Sequence, residues 1–248
     1  MSSISIHTFL VPKQGSEARE CEDAFSFNAD RMRFCIADGA TEGFASRHWA
    51  RLLVKHWTRS ERPILTPEQL MSWATVLGSR FDRYWQRRPL PWFAEEKARS
   101  GAFAAFVGLS FLESHRELHW QAIALGDACL IIWRQNTIIK SFPLEDPEEF
   151  GFRPVLLPSN RNGQQTTLEK VEVRSAPVEP GDSFFLLTDA IAAWFLRTAK
   201  SAPGEITRLD EMLQCGAHDR LSEFVDEARL NGSLRNDDVG IVRVQVAP

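Results

Sequence analysis

Short apolar runs separated by turn residues fill the beginning and the second half of the chain, and this pattern predicts β-strands. The predicted strands cover residues 3–12, 24–28, 32–37, 102–111, 119–125, 128–133, 137–142, 166–173, 183–188 and 239–246. Several of these runs are apolar throughout, which is typical of strands that are buried on both faces.

Apolar residues recur at helical spacing in two other parts of the chain. A first helix is predicted over residues 42–59 and a shorter one over 92–98. The helix between them begins at Thr66–Gln69, a TPEQ capping box with proline at the first helical position. Its aromatic stripe is predicted to be core. Two further helices are predicted over 206–214 and 218–230.

The order of these elements predicts the fold class. Helices occur as two blocks and do not alternate with strands, which argues against a doubly wound sheet and favours an α+β fold. Two sheets are expected face to face, with helices covering the outside. There is no repeat, low-complexity tract or linker, so we predict a single domain over residues 1–248. Residues 146–165 are predicted to be a surface loop, where we expect substrate selectivity to lie.

Composition limits the classes of function. The net charge of −4 and the isoelectric point near 5.9 give no electrostatic reason to expect nucleic-acid binding. No apolar run approaches the roughly 20 residues of a membrane span, and the first residues do not resemble a secretory signal. The four cysteines form no CxxC pair and are interpreted as free thiols. We therefore expect a cytoplasmic protein that contacts neither nucleic acid nor membrane.

Acidic residues stand at the ends of five predicted strands. They are Glu22 and Asp23, Asp38, Asp127, Asp189, and Asp237 and Asp238. One acid at a strand end is typical of a turn, and the pair Asp38-Gly39 alone would be interpreted as one. Several carboxylates that converge would repel one another unless cations lie between them.

The donor set indicates which cation. All candidates are hard oxygen donors, and neither histidine nor cysteine accompanies them, which suits Mg²⁺ or Mn²⁺ better than zinc or copper. Two such ions about 3.5–4 Å apart can generate a hydroxide at neutral pH and hold a phosphate for in-line attack. The pattern therefore predicts phosphoester hydrolysis without a covalent enzyme intermediate.

Six segments in order resemble the metal-dependent protein phosphatases, the PPM or type-2C family. They are ECEDAF, CIADGATEG, SGAFAAFVG, ALGDAC, PGDSFFLLTDA and GSLRNDDVGIVRV, within a resemblance that runs from about Gly15 to Val246. The resemblance implies a four-layer α-β-β-α sandwich of two mostly antiparallel sheets with the metal site at one end. It also implies Mg²⁺- or Mn²⁺-dependent dephosphorylation of phosphoserine and phosphothreonine in proteins, with a cognate kinase as a further partner and a monomeric enzyme.

The same resemblance implies a role for each acid. Asp38 matches the aspartate that bridges both metals, and Gly39 the residue that lends its backbone carbonyl. Asp189 and Asp237 match the aspartates that complete the first metal site, so that these two and Asp38 form the catalytic set. The remaining assignments are Glu22 and Asp23 near the second metal, Asp127 at a third, weaker metal, and a structural role for Asp238.

Several positions depart from the family pattern. The arginine that grips the phosphate falls at Ala18, with Arg19 one place nearer the acidic pair; Arg19 either reaches the site through a bulge or is an ordinary surface arginine. A histidine proposed as general acid in some members falls at Ala40. Ala190 replaces a glycine and would cost about 1 kcal/mol if its φ had to be positive. Gly240 replaces a common threonine.

These observations leave two functional hypotheses. The first is an active serine/threonine protein phosphatase, favoured because the principal carboxylates are retained although unpaired buried acids destabilise a fold. The alternative is a catalytically degenerate domain that binds a phosphoprotein or a kinase without turnover. A two-metal nuclease is disfavoured by the acidic composition, and a plain β-rich domain by the ordered segments.

Overall fold

The computed structural model describes residues 4–114, 117–151, 154–160 and 167–246. Its strands are β1 (Ile4–Val11), β2 (Ala24–Asn28), β3 (Arg33–Gly39), β4 (Phe103–Ser114), β5 (Glu117–Leu125), β6 (Cys129–Arg134), β7 (Thr137–Phe142), β8 (Leu157–Pro158), β9 (Glu172–Pro177), β10 (Ser183–Leu187) and β11 (Val239–Val246). Its α-helices are α1 (Ser46–Arg59), α2 (Pro67–Gln86), α3 (Trp92–Ser100), α4 (Asp189–Ser201), α5 (Pro203–Gln214) and α6 (His218–Leu230).

The strands form two antiparallel sheets. One has the order β1-β11-β10-β6-β7, and the other has the order β2-β3-β4-β5-β9, with β8 paired to β4. The chain passes from the second sheet to the first between β5 and β6, through the short link at residues 126–128. The predicted α+β class with two antiparallel sheets is therefore confirmed.

Three apolar layers hold the sheets and helices together. The inner faces of the two sheets meet in a core that includes Phe34 and Phe184. Trp49 of α1 and Phe81 of α2 belong to a second core against β3 and β4, and Phe195 of α4 belongs to a third core against β6 and β10. Helices thus cover both outer faces, as the four-layer prediction requires. None of the described helices is long and apolar enough to cross a membrane.

The capping signal at the second helix is confirmed, whereas the predicted start of the first helix is wrong. The Thr66 hydroxyl accepts a hydrogen bond from the Gln69 amide at 3.3 Å, and α2 begins at the following proline. The first helix was expected over residues 42–59, yet α1 begins at Ser46. The residue before it, Ala45, has a φ of 51° and no capping side chain, so residues 42–45 form turns.

Two predictions in the second half are also corrected. The strand expected over residues 166–173 is β9, which begins only at Glu172, because the Lys170 amide donates to the Thr167 carbonyl and closes a turn there. Helix α4 was not predicted at all. Some residues of the predictions lie outside the described residues: 3 and 166 of the predicted strands, and 152–153 and 161–165 of the predicted loop at 146–165. The rest of that loop contains a 3₁₀ turn at Pro147–Glu149 and strand β8.

Candidate metal centre

The register of β2 and β3 brings two of the predicted acids together. Ala24 pairs with Ala37, so the next positions outward in this antiparallel pair are Asp23 and Asp38. Gly39 ends β3 against the start of α1. A Cβ at Gly39 would lie 2.8 Å from the Ser46 carbonyl carbon, so only glycine fits this close approach.

The other sheet contributes the remaining acids. Asp189 is the first residue of α4, with one residue between it and the end of β10, and Asp237 precedes β11. Leu187 pairs with Ile241, so the end of β10 lies beside the start of β11. Asp127 lies in the link that crosses from β5 to β6. The acids at strand ends of both sheets thus lie at one end of the sandwich.

A cavity of about 190 Å³ opens at this end. Two of the predicted ligands, Asp23 and Asp189, are not among the described residues that line it, whereas the lining does include Glu22, Asp38, Gly39, Asp127 and Asp237. The other lining residues are Ala40, Thr41, Ala105, Pro154, Leu156 and Asp238.

The carboxylates perturb one another, which shows that they form one electrostatic cluster. Burial raises the pKa of Asp38 well above its ordinary value, and the charges of Asp23, Asp189, Asp127 and Asp237 raise it further. Burial, and then the charge of Asp189, raise the pKa of Asp127 to about 6.

Asp23 is the deepest member of the cluster. Burial raises its pKa well above the ordinary value, and a hydrogen bond from the Thr188 hydroxyl offsets only part of this shift. Its Oδ2 atom is fully buried and has no hydrogen-bond partner. An orphaned carboxylate oxygen among like charges is costly, and a divalent cation would satisfy it.

This donor set fits Mg²⁺ or Mn²⁺, because its members are carboxylate oxygens and a backbone carbonyl. Within the described residues, however, no three carboxylate, imidazole or thiol groups are already gathered tightly enough to coordinate one metal ion. Binding a metal would therefore draw the carboxylates closer together than they lie here.

Arg235 holds two of the acids, Asp189 and Asp237, in their observed positions. The sequence did not indicate this role. The Nη2 atom of Arg235 forms ion pairs with Oδ2 of Asp189 and, at 2.9 Å, with Oδ2 of Asp237. Burial comes first among the influences on the pKa of Asp189 and raises it, while the charge of Arg235 lowers it. Arginine within the same segment as Asp237 was the available signal, but spacing alone could not show where the guanidinium points.

Asp238 makes hydrogen bonds of the kind that its predicted structural role requires. Its two carboxylate oxygens accept hydrogen bonds from the amides of Lys13 at 2.8 Å and Glu22 at 2.7 Å. It thereby joins the loop before β2 to the start of β11. Thr41 was missed by the sequence analysis; its hydroxyl donates to Oε2 of Glu22 at the rim of the cavity.

Arg19 lies apart from these contacts. Its side chain is 76% exposed and forms an ion pair with Glu17 at 2.8 Å. It is not among the described residues that line the cavity.

Two departures from the family pattern exchange glycine with another residue, at Ala190 and at Gly240, and their surroundings differ. Ala190 is the second residue of α4 and has helical backbone geometry, so the cost expected for a positive φ does not arise. Gly240 packs tightly: a Cβ there would lie 2.9 Å from Cδ1 of Ile36 and 3.4 Å from Oδ2 of Asp23.

Comparison with known proteins gives a match at the level of structure alone. The chain matches no protein-family model and no curated protein sequence. It is similar to the catalytic domain of the serine/threonine phosphatase PstP in complex with two manganese ions, with 14% identity over 99% of this chain and 100% of that one and a TM-score of 0.64.

Two further solved structures to which the chain is similar are also serine/threonine phosphatases. Phosphatase Stp1 from Staphylococcus aureus has 13% identity over 99% of this chain and 95% of that one, with a TM-score of 0.61. The PPM phosphatase MsPP from Mycobacterium smegmatis, in complex with cacodylate, has 14% identity over 97% of both chains, with a TM-score of 0.56. The chain therefore has the fold of the PPM-type serine/threonine protein phosphatases.

Proposed function

We propose that this chain is a divergent PPM-type serine/threonine protein phosphatase that uses Mn²⁺ or Mg²⁺. The observation that carries this proposal is the convergence of acids from both sheets on one cavity, where burial and then their charges raise the pKa of Asp38. A cluster of this kind suits a cation site better than a set of turns, since turn acids would lie apart in water. In this proposal one catalytic domain spans residues 1–248.

The proposed ligand roles are those that the resemblance to the PPM family implies. Asp38 lies beside Asp23 and near the charges of Asp189 and Asp237, which supports a role for Asp38 as the ligand that bridges two ions. Asp189 and Asp237 would complete one site, and Glu22 and Asp23 the other, with the Gly39 carbonyl at the bridge. Asp127 would hold a third, weaker ion. When bound, the ions activate water and neutralise the phosphate charge.

The proposed substrates are proteins that carry phosphoserine or phosphothreonine. The solved neighbours are serine/threonine phosphatases, and a cavity of about 190 Å³ suits a phosphoryl group better than a whole metabolite. We therefore place the rest of the substrate on the surface around the cavity, and we propose a kinase that phosphorylates the same substrate as a functional partner.

The test is hydrolysis of p-nitrophenyl phosphate with and without Mn²⁺. Wild-type protein should turn over only with the metal, and Asp38→Asn and Asp189→Asn should each remove at least about a hundredfold of kcat, on the scale of losing a catalytic group. Asp30→Asn, at an exposed turn residue, is the matched control and should retain full turnover. Normal hydrolysis by Asp38→Asn would show that Asp38 is not the bridging ligand.

The alternative, a domain that binds without turnover, also has an observation in its favour. Arg235 pairs with both Asp189 and Asp237, so a cation of the chain itself already contacts two of the acids, as expected for a site that has lost catalysis but kept its fold. The same assay separates the two proposals. A folded protein that binds Mn²⁺ but does not hydrolyse phosphate monoesters would support the binder and contradict the enzyme.

Arg19 stays a proposed phosphate ligand. To reach the cavity, its guanidinium would have to leave Glu17, which is a modest cost for an exposed ion pair. If Arg19 binds phosphate, Arg19→Ala should raise KM with little change in kcat. Unchanged kinetics would identify it as a surface arginine.

A further inference from the structure

One nitrogen of Arg235 bridges two carboxylates that the proposed function assigns to a metal. Nη2 of Arg235 contacts Oδ2 of Asp189 and Oδ2 of Asp237 at the same time. A guanidinium nitrogen shared by two carboxylates makes the contacts that one cation coordinated by both would make.

This contact differs from that of Arg243, an ion-paired arginine in the core. Arg243 is only 2% exposed and, besides its ion pair with Asp210, bonds to the Ser183 and Gln245 side chains. Its role is structural. The side chain of Arg235 is 48% exposed, and both of its hydrogen bonds among the described residues go to the two carboxylates.

The backbone of Arg235 is fixed while its side chain has access to water. The preceding residue, Leu234, is 2% exposed, and its amide donates to the Ala228 carbonyl at 2.9 Å. On the other side the Asp237 amide donates to the Arg235 carbonyl at 2.9 Å. A half-exposed guanidinium on such an anchor can turn into solvent without moving the chain, and its pair with Asp237, whose side chain is 39% exposed, holds it only weakly.

We propose that Arg235 is an internal counter-ion that occupies the cation position between Asp189 and Asp237 in the metal-free protein and is displaced when a divalent cation binds. The inference rests on the proposed metal site, but it does not need turnover. Arg235 keeps the two carboxylates together before loading, and it lowers the apparent affinity for metal, because the metal must replace it. A divalent ion carries twice the charge of the Arg235 guanidinium and coordinates the carboxylate oxygens directly. We therefore expect it to displace the guanidinium.

The test is a calorimetric titration of Mn²⁺ into the full chain and into Arg235→Gln. The glutamine variant should bind the first Mn²⁺ roughly fivefold more tightly, the factor expected when a competing ion pair of about 1 kcal/mol is removed. Arg208→Gln is the matched control, because Arg208 is 50% exposed and pairs with Glu205 away from the cavity. Its Mn²⁺ affinity should equal that of the wild type.

A thermal melt in EDTA gives a second, independent readout. Without metal, Arg235→Gln should melt below the wild type, because Asp189 and Asp237 lose their counter-ion, and Mn²⁺ should raise its melting temperature by more than it raises that of the wild type. If Arg235→Gln does not fold, Arg235→Met removes the same charge and keeps the apolar stem.

The outcomes separate this inference from the proposed function. Tighter Mn²⁺ binding by Arg235→Gln supports the counter-ion, whether or not the protein hydrolyses phosphate. Equal affinity overturns it, and weaker affinity overturns it by showing that Arg235 positions the carboxylates for metal. If neither the wild type nor Arg235→Gln binds Mn²⁺, both the counter-ion role of Arg235 and the proposed metal site are overturned. Binding without hydrolysis contradicts only the proposed function.

Discussion

Replacing Asp127 by asparagine should stabilise the metal-free protein at neutral pH. Asparagine has nearly the same shape as aspartate but carries no charge, so the substitution removes repulsion without opening a cavity. Asp127 has a pKa raised to about 6 by burial and by the charge of Asp189. Its charged form is therefore disfavoured in the folded state, whereas the unfolded chain ionises it freely.

The size of this effect follows from the pKa shift. The shift from 3.8 to about 6 is worth up to roughly 3 kcal/mol at about 1.36 kcal/mol per unit. Asp127 is only partly buried, so we expect about 1–2 kcal/mol after solvent screening. Because the folded pKa is the higher one, the contribution of Asp127 to wild-type stability is greatest below about pH 4 and is lost as the pH rises to about 6. The advantage of Asp127→Asn should grow over that interval and then level off.

Urea unfolding in EDTA, repeated across this pH range, measures the effect. Asp127→Asn should exceed the wild type in free energy of unfolding near neutral pH and match it in acid. Asp30→Asn, at an exposed turn, controls for the loss of one negative charge. An advantage of the same size at every pH, or no advantage at neutral pH, would refute the claim that Asp127 belongs to a repelling cluster.

Three further substitutions test other parts of the account. Gly39→Ala should destabilise the protein by about 1–3 kcal/mol, because the new methyl would lie 2.8 Å from the Ser46 backbone; urea unfolding would show this, and an unchanged midpoint would contradict the close approach. Asp238→Ala should lower the free energy of unfolding by about 2 kcal/mol, since it leaves the Lys13 and Glu22 amides without their acceptor. It should also weaken Mn²⁺ binding in calorimetry. An unchanged free energy of unfolding would argue against the structural role of Asp238. Asp38→Asn in EDTA should unfold at the same or higher urea concentration than the wild type, as relief of repulsion requires, and a large loss of stability would contradict this.

The sequence predicted the two sheets and the acids at their ends because both depend on local patterns. An apolar strand followed by an acid is visible in the chain, and antiparallel pairing then brings strand ends together, as Ala24 and Ala37 do beside Asp23 and Asp38. The final strand was predicted with its observed bounds, Val239–Val246, because apolar residues recur along the run and only Arg243 and Gln245 are polar.

Elements without a periodic signal could not be predicted in this way. The first eight residues of α4, from Asp189 to Leu196, are all buried, so no polar stripe marks them as a helix. Helix α1 starts after Ala45, a left-handed alanine that no capping rule anticipates. The position of Arg235 depends on a tertiary contact between a loop side chain and two strand-end acids, which spacing along the chain does not encode.

The central claim is that the acids at this end of the sandwich form a two-metal site bridged by Asp38. Anomalous diffraction from crystals grown with Mn²⁺ tests it most directly, because it locates the metal without reference to activity. The account predicts two peaks in this cavity that share Asp38, one also contacted by Asp189 and Asp237 and the other on the side of Glu22 and Asp23. A fully Mn²⁺-exchanged crystal with no peak here, or with peaks only elsewhere, would contradict it.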